Sequence, residues 1–316
     1  VILGAGFTPN PNQGHYDLVF SEGNDYKALW TKVDSLTKRG LPKSALEVVE
    51  KIYIQAREDN NAPQFVKAIL HQMRLNSDIE ENYFVKAIYK LDDEMENARE
   101  PIKQILHSVS AEMYMFYYQA NRYKLLNRSI TTTYERNDIE TWDLEKIIRA
   151  IIHHHLAALE NPEMLKSIDL KGFDPILETE EGSKTYRPTL YDFLAHRAVD
   201  YFIMDESALT QPAFRFEMNE DAYLASAPEF AKADIVTSDS LSLKFYALEI
   251  LQDLIAFHLK DRDPAALIDV DLKRLQFVRN NAVLEEKDSL YLQSLVYLQD
   301  KYAAFERSTE VSYKIA

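Results

Sequence analysis

Residues 26–56 decide the fold of this chain, and they read YKALWTKVDSLTKRGLPKSALEVVEKIYIQA. Apolar residues recur at intervals of three and four in both halves of the stretch, which is the spacing of amphipathic helices. Gly40 and Pro42 separate the halves, because glycine ends a helix and proline is tolerated in a first helical turn. The stretch therefore predicts two amphipathic helices joined by a short link. Their inner faces are predicted to carry Tyr26, Leu29, Trp30, Val33 and Leu36 in the first helix and Ala45, Leu46, Val49, Ile52, Tyr53 and Ala56 in the second.

The same helical spacing continues to the end of the chain. Further helices are predicted from about Pro63, over Ile79 to Met95, after Pro101, over Trp142 to Leu159 with Thr141 as N-cap, from Thr189 to about Met204 with Asp192 completing a capping box, over Leu241 to Leu259, after Asp263-Pro264, and over Ser289 to Phe305. Short links between amphipathic helices are typical of antiparallel helix pairs. The prediction is an all-α chain whose helix pairs form a right-handed superhelical array of tetratricopeptide type, although the full tetratricopeptide signature is missing.

Changes in composition predict four segments. Residues 1–25 hold the GAGFTPNPNQG run and are predicted to be an irregular leader. Residues 26–205 are predicted to be an N-terminal helical-repeat region, 206–238 an irregular connector, and 239–316 a C-terminal helical-repeat region. The last helix lacks a polar capping repeat, which predicts that the array continues in a longer protein.

Composition excludes several classes of function. The 51 acidic and 36 basic residues give a formal charge of −15, which disfavours binding to nucleic acid. Only seven glycines occur, too few and too scattered for a phosphate-binding loop, a dinucleotide-binding turn or a nucleophile elbow. Cysteine is absent, so disulfides, thiol nucleophiles and thiolate metal ligands are excluded. No apolar run is long enough to span a membrane, so the chain is predicted not to be transmembrane.

Histidines are the main candidates for a chemical site. His153, His154 and His155 are consecutive, so their side chains point about 100° apart and cannot share one metal. One of them is predicted to be packed and two to be at the surface. His196 and Asp200 lie four residues apart on one helix, with Arg197 beside them, which leaves open a free-standing helical ligand- or metal-binding protein or an enzyme. A local hydrogen bond is the favoured interpretation of that pair. No catalytic residue, cofactor or metal is assigned.

Two further clusters are predicted to be structural. The run from Met113 to Tyr118 surrounds its helix on all sides, which favours core packing over a sugar-binding platform. The acidic runs at residues 92–94 and 285–286 lack a glycine-bearing loop, so they are predicted to be solvated helix faces rather than calcium sites. Asn127-Arg128-Ser129 is a lone glycosylation sequon.

Three stretches resemble one family. Residues 26–52 (YKALWTKVDSLTKRGLPKSALEVVEKI), 141–162 (TWDLEKIIRAIIHHHLAALENP) and 186–202 (YRPTLYDFLAHRAVDYF) are similar to the N-terminal helical region of very large alpha-2-macroglobulin-like proteins of Bacteroidetes-type bacteria. The likeness covers roughly residues 26–205 and is most specific in RPTLYDFLAHRA.

The resemblance implies a part of an exported protease-trapping protein of the periplasm or outer cell envelope. Such proteins carry β-sandwich macroglobulin domains and, in many members, a reactive thioester. This chain has no cysteine for a thioester, and its helical composition leaves no room for the sandwiches. The resemblance therefore implies a non-catalytic protein-interaction or scaffold module at the N-terminus of such a protein. Its expected partner is a protein, either the downstream macroglobulin domains of the same chain or an envelope protein.

Overall fold

The computed structural model describes residues 24–81, 83–127, 138–177, 182–204 and 216–316. Fourteen α-helices occupy these residues: α1 (Asn24–Lys38), α2 (Pro42–Glu58), α3 (Ala62–Ser77), α4 (Tyr83–Asn97), α5 (Ile102–Leu126), α6 (Leu144–Ala157), α7 (Pro162–Ser167), α8 (Ser183–Tyr186), α9 (Leu190–Phe202), α10 (Ala227–Phe230), α11 (Leu243–His258), α12 (Ala265–Asn281), α13 (Lys287–Tyr302) and α14 (Ser308–Ile315).

The remaining regular structure is short. Three 3₁₀ helices cover Ile139–Thr141, Leu170–Ile176 and Asp221–Leu224. Over the described ranges, β structure is limited to two isolated bridges, Asp169 with Thr189 and Met218 with Ala282. The predicted all-α class is therefore confirmed.

Helices that are close in sequence pack against each other. α2 packs against both α1 and α3, α5 against α4 and α6, α11 against α9 and α12, and α13 against α12 and α14. One cluster of buried apolar side chains runs from Tyr26 to Val311. Packing between successive helices is the arrangement predicted for antiparallel pairs; the tetratricopeptide-type right-handed superhelix itself stays a prediction.

The link between α1 and α2 has the predicted form. Gly40 adopts φ 70°, a left-handed conformation that glycine reaches without steric cost, and Pro42 is the first residue of α2. Two side-chain hydrogen bonds also join α1 to residues that follow α2. Trp30 of α1 donates from Nε1 to Oε1 of Gln64 of α3 at 2.7 Å, and Tyr26 donates its hydroxyl proton to Asp59 at 2.6 Å.

Four predicted helix starts are wrong, those at Ile79, Trp142, Leu241 and Ser289; the last two helices begin at Leu243 and Lys287. The helix predicted from Ile79 begins at Tyr83, because Asn76 and Ser77 donate to backbone carbonyls of α3 and end that helix first. The helix predicted from Trp142 with Thr141 as N-cap begins at Leu144. Its N-cap is Asp143, whose Oδ1 accepts from the backbone N–H of Lys146 at 2.9 Å.

The predicted connector contains structure where it is described. The 3₁₀ helix Asp221–Leu224 and α10 lie within it, and α10 begins with a capping box between Ser226 and Glu229. Phe230 is fully buried against the C-terminal helices, so this part is not wholly irregular. The four-segment division stays a prediction. The predicted leader lies almost entirely outside the described residues, and its last two residues begin α1.

No helix in the described ranges is both long enough and apolar enough to cross a bilayer.

Candidate functional site

Of the three residues predicted as an alternative site, His196 and Asp200 meet at a lysine of another helix, and Arg197 lies apart from them. His196 is buried on α9, and its Nδ1 lies 3.4 Å from Nζ of Lys273 on α12. The same Nζ donates to Oδ1 of Asp200 at 2.5 Å. The sequence favours a direct hydrogen bond between His196 and Asp200. In the structure Lys273 lies between the two side chains and contacts both. Arg197 turns away from both, since adjacent helical residues point about 100° apart.

Arg197 instead joins α9 to α5. Its Nε donates to the hydroxyl of Ser108 at 2.9 Å, and its Nη2 donates to Oε2 of Glu112 at 2.7 Å. A guanidinium held by two partners on a neighbouring helix serves helix packing. It is not available to a site at His196.

His196 is kept neutral by its surroundings. Burial lowers its pKa well below the usual value, and the positive charges of Lys273 and Arg187 lower it further. A neutral imidazole is able to accept a proton or bind a metal, but a metal site needs additional ligands. Within the described ranges, no group of three or more His, Cys, Asp or Glu side chains is placed to hold a metal ion.

The strongest polar cluster is one that the sequence did not reveal. His258, in the last turn of α11, lies between two carboxylates: Nε2 is 2.6 Å from Oδ1 of Asp192, and Nδ1 is 2.7 Å from Oδ2 of Asp261. A neutral imidazole carries one N–H and donates to only one of two ionised carboxylates, so this geometry favours the doubly protonated ring. Burial opposes that charge, but the hydrogen bonds and negative charges of Asp192 and Asp261 prevail and raise the pKa of His258.

Asp192 also completes the predicted capping box of α9. Its Oδ2 accepts from the backbone N–H of Thr189 at 2.9 Å, and its own N–H donates to the Thr189 hydroxyl at 3.2 Å. One fully buried carboxylate therefore both starts α9 and fixes α9 to the end of α11. The capping box predicted from the sequence is confirmed. The contact between Asp192 and His258 accounts for the burial of the aspartate.

A second cluster links α7, α9 and α11. Lys166 donates to Oδ2 of Asp253 at 2.9 Å, and the hydroxyl of Tyr191 donates to the same carboxylate. The ammonium group lies 4.7 Å from the centre of the Tyr191 ring and 5.3 Å from that of Phe257. Burial raises the pKa of Tyr191, and the charge of Asp253 raises it further, so the phenol stays protonated. The cluster holds three helices together.

Two of the three consecutive histidines are buried, so the prediction of one packed ring is wrong. His154 faces α5, with its Nδ1 2.9 Å from Nδ1 of His107. His155 faces α9 and stacks on Tyr201 with ring centres 5.0 Å apart. α6 is covered by helices on two sides, which accounts for the second buried ring. Only His153 is exposed.

The buried rings are uncharged at neutral pH. Burial lowers the pKa of His154 to about 3, with His107 adding to the effect. Burial lowers the pKa of His107 to about 4 and that of His155 to about 3. The Nδ1 atom of His155 is buried without a hydrogen-bond partner. These rings stack and fill space; they form no convergent ligand set.

The C-terminal helices hold a buried ion pair. Arg274 and Asp271, both on α12, are almost completely buried, and Nη2 of Arg274 donates to Oδ1 of Asp271 at 2.6 Å. Nη1 of the same arginine donates to the backbone carbonyl of Tyr223 at 2.8 Å, and its guanidinium lies 4.6 Å from the centre of the Phe230 ring. Arg274 therefore fastens the segment around residues 221–230 to α12. The spacing of Asp271 and Arg274, three residues apart on one helix, is typical of an ion pair, but the contacts with Tyr223 and Phe230 are too distant in sequence to be predicted from spacing.

The other predicted clusters are structural in the described part of the chain. Of Met113 to Tyr118 all but Phe116 are buried, which confirms core packing for most of the run. Asp92 is half-buried rather than fully solvated, and burial followed by the charges of Asp93 and Glu96 raises its pKa to about 6. Asn127 ends α5, while the other two residues of the sequon lie outside the described residues.

No protein-family model, no curated protein and no solved structure matches the chain. Over the described residues, the geometry defines a helical fold in which most of the buried histidines, arginines and carboxylates connect one helix to another.

Proposed function

We propose that this chain is a non-catalytic protein-interaction or scaffold module at the N-terminus of a larger, exported, alpha-2-macroglobulin-like protease-trapping protein. The resemblance over residues 26–205 supports the family. The use of the histidines, arginines and carboxylates in contacts between helices supports a role without catalysis.

The observation that carries the interaction role is an exposed apolar strip on α13. Leu292 and Val296 are four residues apart and therefore lie on one side of the helix, 46% and 40% exposed. Tyr297, 39% exposed, follows Val296 and points about 100° away from it. The adjoining side of α13, about 100° around the helix, buries Tyr291, Leu295 and Leu298 in the core. A helix that is apolar on its core side and again on its solvent side is typical of a helix with a second packing partner.

The proposed partner is the macroglobulin part of the same polypeptide, with an envelope protein as the alternative. In either case the location is the periplasm or outer envelope. Burying the α13 strip would stabilise the complex through the hydrophobic effect, which is worth roughly 25 cal/mol per Å² of apolar surface.

Site-specific crosslinking in the cells that make the protein tests this proposal. A photoreactive benzophenone residue is placed at position 296 of the native protein, and at position 54 as the matched control. Ile54 is also an exposed apolar residue, 49% exposed, but it lies alone on α2. The proposal predicts that position 296 crosslinks to a macroglobulin domain of the same polypeptide and that position 54 does not. Equal crosslinking from both positions, or none from position 296, would contradict it.

A further inference from the structure

A cleft of about 360 Å³ lies between the end of α9, the outer side of α12 and α14. Its volume is at the lower end of the range for small-ligand sites, which starts at about 300 Å³. One wall is apolar and includes Ile203, Leu272 and Phe277. Arg187 and Lys314 line the same cleft.

The two cations make no polar side-chain contact within the part of the chain that the structure describes. Among the described residues, neither the guanidinium of Arg187 nor the ammonium of Lys314 has an ion-pair or hydrogen-bond partner. Arg187 is half-buried, so its charge is partly removed from water, and no carboxylate of the described ranges is paired with it. A bound anion would offset the hydration that this guanidinium has lost.

The carboxylates that line the cleft already have a partner, although the two of them share one guanidinium. Asp269 and Glu310 both bind Nη2 of Arg307, at 2.9 Å and 2.7 Å. Lys273, the third cation of the lining, is paired with Asp200. Together with Arg187 and Lys314, the cleft and its ion-pair partners hold four cations against three carboxylates, an excess of one positive charge in a chain whose formal charge is −15.

Side-chain amides supply further donors. Gln276 donates from Nε2 to Oδ1 of Asn280 at 3.0 Å, which leaves the amide N–H groups of Asn280 for a ligand in the same cleft. A guanidinium, an ammonium and an amide next to an apolar wall match an anionic group carried on an apolar body. Arginine is well suited to such oxyanions because its planar fork binds two oxygens at once.

We infer that this cleft binds a small organic oxyanion, a carboxylate or phosphate attached to an apolar group. Arg187 and Lys314 hold the oxyanion, and the apolar group lies against Leu272 and Phe277. This site is separate from the α13 strip, so its failure would leave the proposed function untouched.

Binding to the purified chain is measured with three probes: 4-fluorophenylacetate, phenyl phosphate and the neutral 4-fluorophenylacetamide. Fluorine NMR line widths follow the two fluorinated compounds, and calorimetric titration follows phenyl phosphate. The inference predicts saturable binding of one or both acids and at least tenfold weaker binding of the amide. Whichever acid binds more tightly identifies the oxyanion.

Variants locate the site. Arg187→Gln is expected to weaken binding of the acid at least tenfold, and Lys314→Gln about threefold, because the exposed ammonium is screened by solvent. Lys32→Gln, on the exposed side of α1, is the matched control and should bind as the native chain does. Circular dichroism confirms folding of each variant, which is expected because neither side chain has an ion-pair or hydrogen-bond partner among the residues that the structure describes. Binding that is unchanged in Arg187→Gln, or equal for the amide and the acids, would overturn the inference.

Discussion

Replacement of His155 by phenylalanine should make the chain less sensitive to acid. The ring is buried between α6 and α9, stacks on Tyr201, and has an Nδ1 without a partner. Burial lowers its pKa from the ordinary 6.5 to about 3. Between these two values the unfolded chain binds a proton at this position and the folded chain does not. Stability therefore falls as the pH drops below 6.5 and stops falling near pH 3.

The size of the effect follows from proton linkage. One pKa unit corresponds to about 1.4 kcal/mol, so at pH 5 the native histidine reduces the free energy of unfolding by about 2 kcal/mol, and at pH 7 by about 0.2 kcal/mol. His155→Phe removes this pH-dependent reduction in the free energy of unfolding. Any packing cost of the larger ring is the same at both pH values, so it cancels when the change between pH 7 and pH 5 is compared for the two proteins.

Urea unfolding followed by circular dichroism at 222 nm measures this difference. The native chain should lose about 2 kcal/mol more than His155→Phe when the pH falls from 7 to 5. His153→Gln, a substitution at the exposed neighbour, is the control and should keep the native slope. If His155→Phe and the native chain lost equal stability over this range, the buried neutral state of His155 would be refuted.

Three further substitutions test the other contacts. His258→Gln leaves two carboxylates without their shared cation and should cost about 3–5 kcal/mol in urea unfolding at pH 6. Because the pKa of His258 is raised from 6.5, the native contribution is complete below pH 6.5 and is lost as the pH rises through the folded value, so the cost should shrink at pH 9. Arg274→Met should cost about 3–5 kcal/mol, and adding Asp271→Leu should restore most of it, since the unpaired buried charge is then gone; equal stabilities of the single and double variants would exclude that explanation. Gly40→Ala should lower stability by about 1–2 kcal/mol through backbone strain alone, because φ is 70° and a methyl group there would meet no neighbour; a neutral result in thermal unfolding would show that the turn relaxes.

Helices were predictable from the sequence because their apolar spacing is a property of each segment by itself. The Gly40–Pro42 link and the capping box at Thr189 are local in the same way, and both are confirmed. The start of α4 was missed because Ile79 fits the helical spacing although it lies in the turn that follows α3. Which residue ends a helix depends on side-chain hydrogen bonds such as those of Ser77, and spacing does not show them.

The polar clusters were not predictable because their partners are far apart in sequence. Asp192 was recognised as a cap, but its contact with His258 spans 66 positions. The burial of His155 likewise depends on α9 covering α6, which the sequence of α6 does not indicate. Arg197 was placed near His196 from adjacency alone, and the geometry of a helix separates the two side chains.

The size and location of the native protein test the central proposal most directly. Cells that make this chain are separated into cytosolic, periplasmic and membrane fractions, and each is probed with an antibody against residues 26–205. The proposal predicts a single band several times larger than 36.6 kDa, found with the cell envelope. A band of 36.6 kDa in the cytosol would contradict both the macroglobulin-like parent and the interaction role assigned to α13.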